Sequence, residues 1–280
     1  MPLIEDACRA IGAEIARDPR YAHTSHLLVR IDGATVFDEH YGGPLVADVF
    51  SVTKTVLATV CGIAARDGVL DPAWRHLLTM TRGARVDDTD EVTALRSGQV
   101  ARFAAAPREH PPGREFRYDD GAFHLLSAHL AEALGGSVAD YAAARLFHPL
   151  GIRDAEWPAD PDGVTYGFAH LRLSAASLGR LAEEWRRPSL MDPAFAAAMM
   201  RAHTPGGPPE GLPYGYGVWI GDGYVMAGGW AGQHVIVLPG AVVVTTGDPG
   251  FTLGPPPADR LPPDWRPALD LVRRHLLPLL

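Results

Sequence analysis

The sequence predicts an α/β plus all-α fold, in which an antiparallel sheet is flanked by the terminal helices and carries an inserted helical lobe. Short β-branched or aromatic segments bounded by Gly or Pro occur near both ends of the chain, whereas the middle has apolar residues at helical spacing. Because the end segments are of one type, we expect them to share a sheet. The predicted domains are therefore 1–71 with 205–280 for the sheet and 72–204 for the helical lobe. A cleft between such lobes is a favoured ligand site.

The individual elements are predicted from periodicity and turn residues. In chain order they are a helix over 3–17, strands over 26–31 and 34–40, a helix over 51–66, helices over 123–134, 138–147, 174–185 and 193–203, strands over 214–220, 223–226, 233–238 and 241–246, and a helix over 263–277. Asp32-Gly33 is a strong hairpin signal between the first two strands. The Pro-rich stretch 254–263 is predicted to be an extended connector.

Composition and charge argue against several classes of protein. The 280 residues are 47% hydrophobic and 21% charged, which is typical of a globular chain. The net charge of −8 offers no basic stripe for a nucleic-acid backbone, so no nucleic-acid partner is expected. No segment reaches the roughly 18 apolar residues that span a membrane, and the N-terminal segment lacks the pattern of a signal peptide. We expect a cytoplasmic protein with Cys8 and Cys61 as free thiols.

The basic residues single out one position. Lys54 is the one lysine among 25 basic residues, and the others are arginines. Arginine stays protonated, whereas a desolvated lysine can lose its proton and act as a base. Ser51 lies three residues earlier, on the same face of the predicted helix and at its N-terminal end, where backbone N–H groups can bind an oxyanion. We interpret Ser51 as a nucleophile and Lys54 as a base with a lowered pKa. The alternative is a serine N-cap beside a solvated lysine.

A second motif begins the predicted helix over 123–134. Tyr118, Asp119 and Asp120 follow a Pro-Gly loop. By itself this pattern favours an aspartate N-cap and a tyrosine wedged between the lobes.

Together the motifs resemble the serine β-lactamase and penicillin-binding-protein superfamily, in its class C-like branch. The matching segments follow family order and are residues 50–55, 62–71, 75–83, 112–120, 147–152 and 228–233. The resemblance implies a β-lactamase/DD-peptidase-like fold. It also implies Ser51 as the acylated nucleophile, Lys54 as its partner in proton transfer, and Tyr118 as a base near the nucleophile.

Asp120 departs from the family pattern, which usually has Asn at this position. An amide can donate a hydrogen bond to a substrate carbonyl, but an ionised carboxylate cannot. Asp120 is therefore expected to stay protonated, to pair with Lys54, or to serve structure alone.

The third family motif, usually Lys-Thr-Gly or His-x-Gly, falls on Ala227-Gly228-Gly229 and leaves no cation there for a substrate carboxylate. The triplet is similar to the Trp-Gly-Gly of the family VIII carboxylesterases. Gly228 and Gly229 would let substrate approach closely, although a plain turn or a bulge would also use them. The N–H groups of Trp230 and Ser51 are the candidate oxyanion donors.

The sequence thus favours a serine hydrolase that acts through an acyl-enzyme on a small-molecule ester or activated amide, most nearly a carboxylesterase. An acyltransferase, a thioesterase and a β-lactamase-type amide hydrolase are alternatives with the same chemistry. A binding or sensory module, in which Ser51 is acylated slowly or never, is an alternative of another class. No cofactor is expected. No metal site is expected either, because His124 and His129 lie five residues apart and would face different sides of a helix. The oligomeric state is not predicted.

Overall fold

A computed structural model describes residues 2–69, 71–250, 261 and 263–280 of the chain. The strands are β1 Thr24–Ile31, β2 Ala34–His40, β3 Val46–Asp48, β4 Arg172–Ser174, β5 Thr204–Gly207, β6 Leu212–Tyr214, β7 Trp219–Ile220, β8 Val225–Gly229, β9 Gln233–Val237 and β10 Ala241–Gly247. Eight of these form one antiparallel sheet in the order β2-β1-β10-β9-β8-β7-β6-β5. Since β1 pairs with β10, the two ends of the chain share this sheet, as predicted. Strands β3 and β4 form a separate ribbon.

The helices are α1 Pro2–Arg17, α2 Val52–Arg66, α3 Arg75–Leu78, α4 Thr89–Thr93, α5 Gln99–Ala104, α6 Asp120–Leu134, α7 Val138–Ala142, α8 Ala175–Arg186, α9 Pro193–Met199 and α10 Leu269–Leu271. Helical turns continue α7 through Ala143–Phe147 and α10 through Leu279. The C-terminal helix begins later than predicted, and Pro267, which lacks a backbone N–H, directly precedes its first turn. The connector predicted over 254–263 lies almost entirely outside the described residues.

The β1–β2 hairpin has the turn that its sequence predicts. Asp32 and Gly33 have φ values of +47° and +86°, and a two-residue type I′ turn requires a positive φ at both positions. Ile31 and Ala34 pair directly across this turn. Local chemistry is sufficient to specify this connection.

The single strand predicted over 214–220 is wrong, because β6 and β7 are separate strands joined by a tight turn. Gly217 in this turn has a φ of +70°, and a Cβ on it would lie 2.9 Å from the Lys54 carbonyl oxygen. The side-chain hydroxyl of Thr55 donates a hydrogen bond to the Gly217 carbonyl. The chain turns here because it passes in close contact over α2, a tertiary constraint that strand propensity does not contain.

Helix α2 runs through the core, and all its residues from 52 to 64 are buried. It contacts α6 and α9 as well as β8 and β9, so it joins the helical part of the chain to the sheet. The division into two domains remains a prediction. Helix α8, which that division assigns to the helical lobe, packs on β1, β9 and β10. None of the described helices is both long and apolar enough to cross a membrane.

Candidate active site

The chain enters α2 through a strained turn that presents Ser51. Phe50, which precedes it, has a φ of +46°, a conformation that a bulky residue keeps only when surrounding contacts hold it. The Asp48 carboxylate provides such contacts, since its Oδ1 accepts hydrogen bonds from the Phe50 N–H at 2.6 Å and the His170 N–H at 3.2 Å. His170 has a φ of +71°. Asp48 thus holds two strained segments in place beside Ser51.

Lys54 lies one turn into α2, and its side chain is only 1% exposed. Its Nζ donates hydrogen bonds to Ser51 Oγ at 2.7 Å and to the Phe168 carbonyl oxygen at 2.9 Å. Asp120 Oδ1 lies 2.7 Å from the same nitrogen. A hydroxyl, an amine and a carboxylate therefore form one connected group. This burial excludes the alternative of a solvated lysine.

The pKa of Lys54 is raised above its ordinary value, so the predicted lowering is wrong. Burial is the largest single influence and lowers this pKa, but the charge of Asp120 and the nearby Tyr118 together outweigh it. The prediction considered the apolar helix and missed the carboxylate that pairs with the amine. Lys54 consequently carries its proton in the resting protein at neutral pH.

Tyr118 lies directly against the lysine. Its ring centroid is 4.9 Å from Lys54 Nζ, and the ring stacks on Trp219 with the planes 8° apart. Burial raises the pKa of Tyr118; the Lys54 charge and hydrogen bonding with Ser51 lower it by less, so the net change is upward. Tyr118 is therefore a protonated phenol at neutral pH, within hydrogen-bonding reach of Ser51.

The two aspartates after Tyr118 have different partners. Asp119 caps α6, because its Oδ1 accepts a hydrogen bond from the Ala122 N–H at 3.2 Å while the Arg82 guanidinium pairs with its other oxygen. Asp120 pairs with Lys54, and its Oδ2 accepts a hydrogen bond from Thr89 Oγ1 at 2.8 Å. Of the three roles left open for Asp120, the structure selects the ion pair with the lysine.

The end of β8 lies beside the start of α2. Ala227 is buried, and Gly228 and Gly229 pair with β9, so the plain-turn interpretation of these glycines is wrong. A Cβ on Gly229 would lie 2.5 Å from the Val49 carbonyl oxygen and 3.3 Å from Ser51 N. Only glycine permits this approach between strand and helix.

Two cavities open on Ser51 and Trp230, which line both. The first has a volume of about 500 Å³, and its lining includes Phe50, Pro158, Tyr166, Phe168 and Asp120. The second has a volume of about 360 Å³ and is lined by Tyr118, Gly228, Gly229, Glu210 and residues of the C-terminal segment. Trp230 is 39% exposed and contacts the Phe50 ring edge-on, with centroids 5.3 Å apart. The residues predicted for the site thus lie around Ser51.

Sequence reasoning missed three contributors to this site. Phe168 contributes its backbone carbonyl oxygen, and since every residue type has one, the sequence gives no indication of this role. Asp48 and His170 are brought together from segments more than 100 residues apart, and His170 Nδ1 lies 3.2 Å from Asp48 Oδ2. Their strained backbone angles depend on that meeting, so no local pattern could have indicated them.

His124, for which the sequence predicts no metal site, lies next to a carboxylate. His124 Nε2 lies 3.0 Å from Asp160 Oδ2, and both side chains are fully buried. Burial lowers the pKa of His124, and Asp160 offsets this in part. Within the ranges that the structure describes, no group of three or more His, Cys, Asp or Glu side chains is placed to hold a metal ion.

Comparison with known proteins identifies the family. Residues 21–255 match the family model described as Beta-lactamase. The chain belongs to the Beta-lactamase family. Members of the Beta-lactamase family are serine hydrolases, which supports a serine hydrolase of this fold. No curated protein matches the chain.

Solved structures of the same fold resemble the chain along most of its length. A β-lactamase from Mycobacterium bovis is 18% identical, with a TM-score of 0.66 over 91% of this chain and 96% of that one. A penicillin binding protein from Bacillus halodurans is 17% identical, with a TM-score of 0.72 over 94% and 98%. A Bacillus anthracis protein provisionally named a 6-aminohexanoate-dimer hydrolase is 14% identical, with a TM-score of 0.74 over 96% and 80%. These likenesses confirm the predicted fold class.

Proposed function

We propose that this protein hydrolyses carboxylic esters through an acyl-enzyme on Ser51, as a carboxylesterase of the class C-like branch. The observation that carries the proposal is the buried Lys54 Nζ, which lies 2.7 Å from both Ser51 Oγ and Asp120 Oδ1. An amine between a hydroxyl and a carboxylate can accept one proton while it releases another. It can therefore activate Ser51 although it is protonated at rest.

The proposed acylation moves one proton from the nucleophile to the leaving group. Ser51 Oγ attacks the ester carbonyl and gives its proton to Lys54 Nζ, while Lys54 passes a proton to Asp120. Tyr118, protonated at rest, donates its proton to the departing alkoxide, and the Lys54–Asp120 pair reprotonates the phenolate. Water then follows the same route in reverse, so that an alcohol and a carboxylic acid are released and Ser51 is restored.

The oxyanion of each tetrahedral intermediate is proposed to bind the backbone N–H groups of Ser51 and Trp230. Ser51 N lies at the N-terminal end of α2, where the helix dipole favours negative charge. The tight contact at Gly229 brings the residue before Trp230 close to Ser51 N. Two donors from different elements can then converge on one oxygen.

An ester is proposed over a β-lactam or peptide amide because the third-motif position, Ala227-Gly228-Gly229, supplies no cation for the carboxylate that such amides carry. Asp120 is engaged with a lysine and does not supply the N–H with which the family's usual Asn can hold the carbonyl of an amide side chain. Amide hydrolysis is the second candidate, because the similar Bacillus anthracis protein is named as a hydrolase of the 6-aminohexanoate dimer. The proposed partner is a small molecule and the proposed location is the cytoplasm, since Cys8 and Cys61 are free thiols.

The test is intact-mass spectrometry after the protein is mixed with p-nitrophenyl butanoate, with Ser51→Ala as the matched control. We expect one butanoyl adduct in the parent protein, none in Ser51→Ala, and turnover that exceeds that of the matching p-nitroanilide. Equal turnover of the anilide would favour the amide candidate. An adduct that does not decay would indicate an acyl sensor or an acyltransferase that awaits its acceptor. Hydrolysis that persists in Ser51→Ala would overturn the proposal.

A further inference from the structure

The second cavity, which lies between the end of β8 and the C-terminal helical segment, has one wall that the proposed chemistry leaves unused. Tyr118 lines this cavity and not the first one. Since Tyr118 is the proposed proton donor to the leaving group, the alcohol departs into the second cavity and the acyl group occupies the first. This assignment rests on the proposed function.

Glu210 lies on that unused wall, opposite Gly228. A Cβ added to Gly228 would stand 3.2 Å from Glu210 Oε1, so a side chain at position 228 would crowd the carboxylate. The Glu210 side chain is 19% exposed and lines the same cavity as Ser51. It does not belong to the Lys54 group.

The Glu210 carboxylate has no close cation. Across the described parts of the chain, no N–H or O–H group lies within hydrogen-bonding distance of it, and its nearest basic neighbour is His234, with Nε2 3.9 Å from Oε1. Burial lowers the pKa of His234 to about 4, so this imidazole is uncharged at neutral pH. Burial raises the pKa of Glu210, and the charge of Arg273, which also lines the cavity, lowers this pKa by less. A partly desolvated carboxylate of this kind gains most from a ligand that brings its own positive charge.

Among the residues that the structure describes, the charged groups that line the cavity are two carboxylates, Glu210 and Asp270, and one guanidinium, Arg273. Asp270 lies 3.5 Å from Arg266, which is not among the lining residues. Trp219 and Trp265 also line the cavity, and aromatic rings can attract cations.

We propose that the second cavity takes a leaving group with a protonated amine, and that Glu210 pairs with the ammonium. The substrate class is therefore an ester of an amino alcohol, and Glu210 is a specificity-determining residue. Gly228 contributes to the same subsite, because the lack of a side chain leaves room for the ligand beside the carboxylate.

The test compares three butanoate esters that differ only at the end of the alcohol. Dimethylaminoethyl butanoate is cationic, isopentyl butanoate is its neutral isostere, and carboxyethyl butanoate is anionic. We expect kcat/KM to follow this order in the parent protein. Glu210→Gln is expected to lower the ratio of cationic to neutral kcat/KM by about tenfold, with the neutral ester unaffected. Asp222→Asn removes the same charge from an exposed turn outside both cavities and is expected to leave the ratio unchanged.

A second readout does not depend on turnover. Ligand-observed NMR is expected to detect binding of hexylammonium to the parent protein more strongly than binding of hexanol, with the difference lost in Glu210→Gln. Ester turnover without a cation preference, or a preference unchanged in Glu210→Gln, overturns the assignment and leaves the esterase proposal standing. A preference for the anionic ester that is lost in Arg273→Gln also overturns it. If no ester is turned over, the esterase proposal fails, and the assignment of the second cavity is judged from hexylammonium binding alone. Binding that depends on Glu210 supports the assignment. Binding that is equal in both proteins, or absent, overturns it.

Discussion

Gly229→Ala perturbs the contact between the end of β8 and the chain that enters α2 at Ser51, and it does not require a new backbone conformation. Gly229 has φ and ψ of −140° and 154°, which alanine adopts freely. The added Cβ would nevertheless lie 2.5 Å from the Val49 carbonyl oxygen, where ordinary contact begins at 3.4 Å. The strand end and the start of α2 must therefore separate by about 0.9 Å.

This displacement acts directly on Ser51, the proposed nucleophile. The Val49 carbonyl accepts the hydrogen bond of the Val52 N–H at the first turn of α2, and Ser51 lies between these residues. A misplacement of about 1 Å can cost about 10²-fold in rate, so we expect kcat/KM for p-nitrophenyl butanoate to fall by about that factor, or about 2.7 kcal/mol.

The assay pairs steady-state kinetics with thermal unfolding, so that a loss of activity is not confused with a loss of fold. Gly240→Ala is the matched control, since a Cβ there meets no atom closer than 3.9 Å, and it is expected to retain full activity. If Gly229→Ala keeps kcat/KM within about threefold of the parent value while folded, the close approach does not position Ser51 and the reasoning is refuted.

Three further predictions concern the lysine and the core around it. Asp120→Asn removes a charge that raises the pKa of both Lys54 and Tyr118, so the falling limb of kcat/KM against pH, along which Tyr118 loses the proton that it donates to the leaving group, is expected to move to lower pH; an unchanged or higher limb would contradict the ion-pair account. Lys54→Arg keeps the charge but cannot relay a proton, and kcat is expected to fall by at least about 10²-fold, whereas retained activity would reduce Lys54 to an electrostatic role. Thr59→Val leaves the buried Trp185 Nε1–H without the acceptor that it now has at 2.8 Å, and urea denaturation is expected to show a loss of about 1–3 kcal/mol, with no change in KM.

Much of the candidate site could be predicted because its chemistry is carried by residue types at short spacing. Ser51 and Lys54 are three apart on a helix, and one helical turn brings them into contact in any fold that forms that helix. The hairpin at Asp32-Gly33 is similar, since its turn conformation belongs to the two residues themselves.

The protonation of the site could not be predicted in this way. The pKa of Lys54 depends on the balance between burial and the charge of Asp120, which lies 66 positions further along the chain. The sequence shows that an aspartate replaces an asparagine, but only the packing of α6 against α2 decides that this carboxylate meets the amine.

The sequence by itself predicted the fold class from periodicity and turn residues, and it singled out Ser51 and Lys54 through the position of the one lysine, whereas the role predicted for Tyr118 came from the family resemblance. Tertiary structure decided the rest. It brought the Phe168 carbonyl into hydrogen-bonding contact with Lys54, and it stabilised the strained conformations of Phe50 and His170 through Asp48. It also divided the predicted strand over 214–220 into two strands and placed Glu210 in a cavity that Ser51 also lines. Each of these depends on contacts between distant segments, and their energies exist only once the chain is folded.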